Sequence, residues 1–236
     1  MSAPQSPPLI SCVMPTRNRP RLFQQAVKYF LSQTYEAAEL IVVDDGEEPV
    51  AHLCAASERI RYIRLDQPES TGAKLNIGFA QARGAIFQKL DDDDFYHRDF
   101  LHIATEALQL ADTEQAIASW NCFLILYPGE DRLLYSGAGW RAGATLCFPR
   151  TLWQQTPFQN VPGREDMLFL HDTNAATVAV RAPEHFVAIR HGRNTWRTTR
   201  RGRDVETWLR SFPNYPKTPV EVLGEENVQF YRTLRL

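Results

Sequence analysis

The stretch from Gly84 to Asp94, GAIFQKLDDDD, runs a short apolar β-type segment straight into four consecutive carboxylates. Brought by one strand to its own C-terminal end, Asp91, Asp92, Asp93 and Asp94 repel one another unless a cation sits among them. A divalent metal is the obvious candidate. Strand alternation would aim Asp91 and Asp93 one way and Asp92 and Asp94 the other, so two or three of them can share one ion. The competing reading is a solvated acidic turn, with one aspartate as the N-cap of the following helix.

The surroundings of the tetrad decide what fold can carry it. Leu9 to Met14 (LISCVM) reads as a buried strand closed by Pro15 and the polar loop Thr16-Arg17-Asn18-Arg19-Pro20. A helix follows, with Leu22, Phe23, Ala26, Val27, Phe30 and Leu31 on one face. Leu40 to Val43 is a second buried strand, ending in Asp44-Asp45-Gly46, and Ile60 to Leu65 a third. Thr71 to Arg83 predicts a helix before the acidic strand, with Lys74 near its start facing either a phosphate or solvent. This alternation of strand and helix predicts an α/β fold: a Rossmann-like, doubly wound, mainly parallel sheet with helices on both faces. Ligands bind beyond the C-terminal strand ends of such sheets, and the polar clusters at Thr16 to Arg19, Asp44 to Asp45 and Asp91 to Asp94 all fall there.

With 236 residues, 44% of them hydrophobic, the chain can bury one sizeable core. A formal net charge of -2 gives no global case for nucleic acid, so a basic site must be local. No apolar run is long enough for a membrane span and MSAPQSPP has no leader pattern, which predicts a cytoplasmic protein. Cys12, Cys54, Cys122 and Cys147 form no CxxC or Cys/His cluster and read as core thiols.

Downstream, Phe100 to Leu110 predicts a helix, Ile117 to Tyr127 and Thr145 to Phe148 strands, and Tyr135 to Trp140 a Gly-rich loop. Glu165 and Asp166 open a further helix, and two short strands, Thr177 to Val180 and His185 to Ile189, lead to Arg190-His-Gly-Arg-Asn-Thr-Trp196. Between Arg190 and Arg203 stand six arginines and no acidic residue, a pattern of an exposed mobile loop able to close on a diphosphate or an anionic acceptor. The expected organisation is a disordered start over residues 1–8, a single domain over 9–203, and a helical tail over 204–236 that docks on the domain or on a second copy as a homodimer.

In this order the pieces resemble the family 2 glycosyltransferases of the GT-A type, which use nucleotide sugars and usually invert configuration. The matching segments are VMPTRNRPRLFQQAV, SQTYEAAELIVVDDG, GAKLNIGFAQARG, LDDDDFYHRDFL and GREDMLFL followed by IRHGRNTW, spanning Leu9 to Trp196. The resemblance implies a nucleotide-sugar site built from Pro15, Thr16, Arg17 and Asn18, with Thr16 and Arg17 along base and ribose. It implies that Asp45 accepts a hydrogen bond from the base and that Asp91 or Asp92 touches the ribose. Asp93 would bind a Mn²⁺ or Mg²⁺ bridging the diphosphate, and His191 would be a further metal or phosphate contact. Asp166, beside Glu165, would be the general base. An arginine that some relatives carry near the third helix is absent around Ser70, leaving Lys74 or the arginine loop as phosphate partner.

Glycosyl transfer asks for these groups on chemical grounds as well: a cation to neutralise the leaving diphosphate and a base within reach of the attacking hydroxyl. Asp166 suits the base because Glu165 and an acidic crevice raise its proton affinity, although both residues also suit a helix N-terminus. The implied partners are a nucleotide-diphosphate sugar donor and a saccharide or lipid-linked acceptor, in surface polysaccharide or glycolipid assembly. Two alternatives are a non-catalytic nucleotide-sugar binding module and a nucleotidyltransferase. The latter wants a Gly-rich phosphate loop after the first strand, and PTRNRP has no glycine.

Overall fold

The computed structural model describes residues 6–55, 57–197 and 204–234. Its strands in chain order are β1 (Ile10–Thr16), β2 (Ala38–Asp44), β3 (Ile60–Arg64), β4 (Ile86–Lys89), β5 (Phe95–Tyr96), β6 (Ala116–Trp120), β7 (Leu124–Leu126), β8 (Leu134–Tyr135), β9 (Cys147–Pro149), β10 (Ala176–Val180) and β11 (Phe186–Ile189). The α-helices are α1 (Pro20–Leu31), α2 (Ala51–Cys54), α3 (Thr71–Ala80), α4 (Phe100–Gln109), α5 (Arg150–Gln155), α6 (Glu165–Asp172), α7 (Val205–Leu209), α8 (Pro219–Leu223) and α9 (Glu225–Arg232).

Seven strands form one sheet in the order β10-β6-β9-β4-β1-β2-β3. All its neighbours run parallel except β9, which is antiparallel to both β4 and β6. Period-two alternation divides the central strands between two cores. Ile10, Cys12 and Met14 of β1, with Leu40 and Val42 of β2, join Leu22, Phe23, Ala26, Val27 and Phe30 of α1 in one cluster. Val13, Ile41 and Val43 face the other way and pack with Leu75 and Phe79 of α3, Phe87 and Phe148. The sheet is therefore covered on both faces, and all four cysteines are buried free thiols.

A second sheet was not legible in the sequence. The expected strand from Ile117 to Tyr127 is broken at Asn121, so that β6 lies in the large sheet and β7 in a four-stranded sheet of order β5-β11-β7-β8. The expected helix from Thr71 to Arg83 ends at Ala80, and the backbone N–H and guanidinium of Arg83 instead bind the buried Glu39 carboxylate at 2.7 and 2.8 Å. The C-terminal tail packs on its own domain: Val222, Leu223, Val228 and Tyr231 enter the core that α1 lines, and Gln25 of α1 donates to Asn227 at 2.8 Å. No helix among the described residues is long and apolar enough to cross a membrane.

Candidate active site

The C-terminal ends of β1, β2 and β4 open side by side, and each delivers polar groups to the same crevice. Thr16 ends β1 buried, and its hydroxyl donates to Asp92 at 2.7 Å. Pro15 pairs in register with Val43 of β2, while Arg17 and Asn18 are exposed beyond the strand. Asn18 takes a left-handed backbone (φ 52°), and its side-chain oxygen accepts from the Glu47 N–H at 2.6 Å, tying the loop after β1 to that after β2. Gly46 makes this approach possible, because a Cβ there would lie 2.8 Å from the Asn18 nitrogen.

Asp45 and Lys74 do not face the crevice as free groups. Lys74 Nζ lies 2.8 Å from Asp45 Oδ1 and 3.2 Å from the Thr16 carbonyl, and Asp45 Oδ2 accepts from the Glu69 N–H at 2.8 Å. Both side chains are nearly out of contact with solvent. The pair locks the start of α3 against the ends of β1 and β2.

The acidic tetrad departs from strand alternation. β4 ends at Lys89, and Leu90 to Asp94 bend before β5, so parity no longer sets where each carboxylate points. Asp92 turns to Thr16 and Arg19, whereas Asp91, Asp93 and Asp94 each offer a ligand atom within 4.8 Å of the other two. Burial drives the Asp92 carboxyl up to about 6, with Arg19 opposing it and Asp93 adding to it. Burial likewise raises Asp91 and Asp94, against Lys89 in the first case and aggravated by Asp93 in the second. Asp93 is held low despite its burial, by the His191 hydrogen bond and the Arg19 guanidinium. Arg19 Nη1 stands 2.6 Å from Asp93 and 3.0 Å from Asp92. His191 Nδ1 accepts from the Arg193 N–H at 3.3 Å, so Nε2 carries the proton given to Asp93 at 2.9 Å.

Lys89 joins this loop to the opposite wall. Its buried ammonium lies 3.1 Å from Asp91 Oδ1 and 3.6 Å from Glu165 Oε1. Burial lowers its proton affinity, but Asp91, Glu165 and Asp166 together outweigh that and hold it charged. Glu165 and Asp166 open α6 behind Arg164, which adopts φ 64° as the capping residue. Glu165 is buried and its pKa raised by that burial, with Lys89 opposing and Asp166 adding to the shift. Asp166 is half-buried, accepts from the Met167 N–H at 2.7 Å, and lies flat against Gly143. A Cβ at Gly143 would sit 1.4 Å from Asp166 Oδ2, so only glycine admits the carboxylate there.

Residues 11–124, from β1 to the start of β7, match the model of the family described as "Glycosyl transferase family 2". This region belongs to glycosyltransferase family 2. Among its relatives, WcaA of Escherichia coli (strain K12), named as a glycosyl transferase of colanic acid biosynthesis, is 38% identical over 92 residues, 37% of this chain and 33% of that protein. An uncharacterized glycosyltransferase of Haemophilus influenzae is 32% identical over 99 residues, 40% of each. The chain thus spans less than half the length of these curated relatives. In three dimensions it is similar to the mannosyltransferase PcManGT from Pyrobaculum calidifontis in complex with GDP-Man and Mn²⁺, with a TM-score of 0.65 at 18% identity, over 98% of this chain and 71% of that one. S. aureus TarS 1–349 in complex with UDP-GlcNAc gives a TM-score of 0.65 at 15% identity, over 79% of this chain and 60% of that one. The fold is that of the GT-A glycosyltransferases.

Within this site, sequence reasoning gave no individual role to Arg19, Lys89 or Asn194, the last donating to Asp93 at 3.4 Å. The signal for Lys89 was present, since a lysine inside a short apolar strand must find carboxylates, and four follow it. The arginine stretch also differs from expectation at its start. Arg190 is buried and paired with Glu206, just beyond the stretch, and donates to the Trp196 carbonyl at 2.8 Å. It is therefore not free to meet a diphosphate, and residues 198–203 of the expected loop lie outside the described residues.

Proposed function

We propose that the chain transfers a glycosyl group from a nucleotide-diphosphate sugar to an acceptor hydroxyl, with a divalent cation and inversion at the anomeric carbon. The observation that carries this reading is the buried Lys89, whose contacts with Asp91 and Glu165 bring the acidic loop and the helix bearing Asp166 to one point. The three converging carboxylates of Asp91, Asp93 and Asp94 are a hard, oxygen-only donor set, which fits Mg²⁺ or Mn²⁺. Such an ion supplies Lewis-acid neutralisation of the charge left on the diphosphate.

The protein's own groups do the rest. Arg19 and His191 hold Asp93 ionised and oriented, and the Thr16 hydroxyl orients Asp92 at the ribose side. The Lys74–Asp45 pair fixes the loop that lines the base, so Asp45 acts there by shaping the wall. Asp166 accepts the proton of the attacking hydroxyl as its oxygen bonds to the anomeric carbon and the bond to the diphosphate breaks on the opposite face. A relative named for colanic acid biosynthesis, and structures holding UDP-GlcNAc or GDP-Man, support a nucleotide-sugar donor and a saccharide or lipid-linked acceptor.

The test is Asp166→Asn, assayed for donor binding and turnover with Mn²⁺ and again with EDTA. Asparagine keeps the shape without taking the proton, so kcat should fall by on the order of 10² to 10⁴ while donor affinity holds. EDTA should silence the wild type. Turnover at the wild-type rate by Asp166→Asn would remove the base assignment, and donor binding with no transfer by the wild type on any acceptor would favour the binding-module reading.

A further inference from the structure

The short β5 and β11 strands carry the acidic loop at one end and a second group of ligands at the other. Tyr96 pairs with Phe186 and Phe95 with Val187 in antiparallel register, so His97 meets His185 across the pair. The His97 N–H donates to the His185 carbonyl at 3.1 Å, and the two rings meet edge to face with centroids 4.5 Å apart. Asp99, two residues on, brings its Oδ2 to 3.6 Å from His97 Nδ1. One ligand atom from each of His97, Asp99 and His185 lies within 4.8 Å of the other two. We propose that His97, Asp99 and His185 form a transition-metal site of the zinc class, separate from the carboxylate cluster of Asp91, Asp93 and Asp94.

Two further observations point the same way. Asp99 stands at the N-cap position of α4, where an aspartate ordinarily accepts from the helix N–H groups, yet its side chain caps nothing. Its Oδ1 accepts instead from the Thr34 hydroxyl at 2.8 Å, which turns Oδ2 toward His97. A carboxylate so oriented by an outer hydroxyl is the arrangement that metal ligands use. The second is His185 Nδ1, which is buried with no hydrogen-bond partner among the described residues. Such a nitrogen asks for a ligand.

The donor set selects the ion. Two imidazoles and one carboxylate suit Zn²⁺ with a water in the fourth position, whereas Mg²⁺ and Mn²⁺ favour oxygen alone. Bonds of about 2.0 to 2.1 Å in a tetrahedron put ligand atoms about 3.3 Å apart. The His97–Asp99 pair is already near that at 3.6 Å, and the remaining atoms need to close by about 1.5 Å at most. Metal binding through His97 Nδ1 exchanges the 3.2 Å hydrogen bond that it accepts from the Asp99 N–H. Glu184 does not compete, being engaged with Tyr215 at 2.6 Å and Lys217 at 2.8 Å. An ion here would staple the residue after β5 to the residue before β11, strands whose far ends are joined by the bond from the Ile189 N–H to Asp94.

The inference stands apart from the transfer reaction and is tested by metal content. Chelator-stripped, tag-free protein is dialysed against Zn²⁺ and analysed for bound metal, with Co²⁺ absorption as the probe of coordination. Wild type and Asp93→Ala should each hold a zinc that His185→Gln lacks, and their Co²⁺ spectra should show visible bands of a tetrahedral site that His185→Gln loses. Thr34→Val, at an exposed position, should weaken Zn²⁺ binding by about 10- to 100-fold with the fold unchanged by circular dichroism. Equal zinc in wild type and His185→Gln, loss of the zinc in Asp93→Ala, or unaltered affinity in Thr34→Val would each overturn the site.

Discussion

Lys89 holds its charge where a lone cation is least tolerated, inside the sheet and 4% exposed. Removing an ammonium from water costs several kcal/mol, and the compensation comes from Asp91 and Glu165, which are themselves buried or half-buried. Neither side of this arrangement is stable without the other. Lys89→Met should therefore destabilise by about 3–5 kcal/mol, because two carboxylates are left without their cation. Urea unfolding measures this, and the double variant Lys89→Met/Glu165→Gln should recover part of the loss. A single-variant cost below about 1 kcal/mol would mean that water, not Lys89, solvates the carboxylates. At this scale the sequence named the acidic residues, because runs of like charge are conspicuous. It named no partner for Arg19, because the carboxylates that give that cation its value come from a distant segment, and it passed over Lys89 although four carboxylates follow it. Asp93 and His191, 98 positions apart, lie 2.9 Å from one another, and it is the family resemblance, not their spacing, that brought the two to one place.

At the scale of elements, what could be read followed burial on both faces. β1 and β2 are continuous apolar runs because each feeds two cores, and α1 is amphipathic because it feeds one. The small sheet escaped because β5 and β8 are two residues long, too short for any alternation to register, and because no glycine or proline marks the break between β6 and β7. Glu39 ties several of these elements at the end of the sheet away from the crevice. Its carboxylate accepts from Ser11 of β1 at 2.6 Å, from Arg61 of β3 at 3.1 Å and from Arg83 after α3. Burial alone would raise its pKa, but the Ser11 hydroxyl and the Arg83 and Arg61 contacts outweigh burial and lower it. A folded pKa below the unfolded value contributes stability above the unfolded pKa, and that contribution is lost as pH falls through the folded one. Glu39→Gln should thus cost about 1–3 kcal/mol at pH 7, with the gap to wild type closing below about pH 4. Denaturation series at several pH values would show it, and a gap independent of pH would mean that the charge of Glu39 contributes nothing.

Across the whole molecule, the end of the chain reaches back to support the site. The capping box of Thr218 and Glu221 starts α8, and α9 then lays Tyr231 against α1, where its hydroxyl meets that of Tyr29 at 3.1 Å. Tyr29 in turn packs edge-on against Phe95, the residue after Asp94, with ring centroids 5.1 Å apart. The tail is therefore the third layer behind the acidic loop: Tyr231, Tyr29, Phe95. Tyr231 is almost wholly buried, so Tyr231→Ala removes a large core side chain and should cost about 3–5 kcal/mol. Tyr231→Phe keeps the ring and loses one hydrogen bond, a cost of about 0.5–1.5 kcal/mol. If the layer supports the loop, Tyr231→Ala should also weaken Mn²⁺ binding while the protein is still folded, and Tyr231→Phe should not. A tail that served mainly to join two copies would give another pattern: Tyr231→Ala would lower the sedimentation mass and leave Mn²⁺ affinity alone. Urea unfolding, Mn²⁺ titration and sedimentation on the same two variants separate these cases, and an alanine variant as stable as wild type would show that α9 does not dock where Tyr231 meets Tyr29.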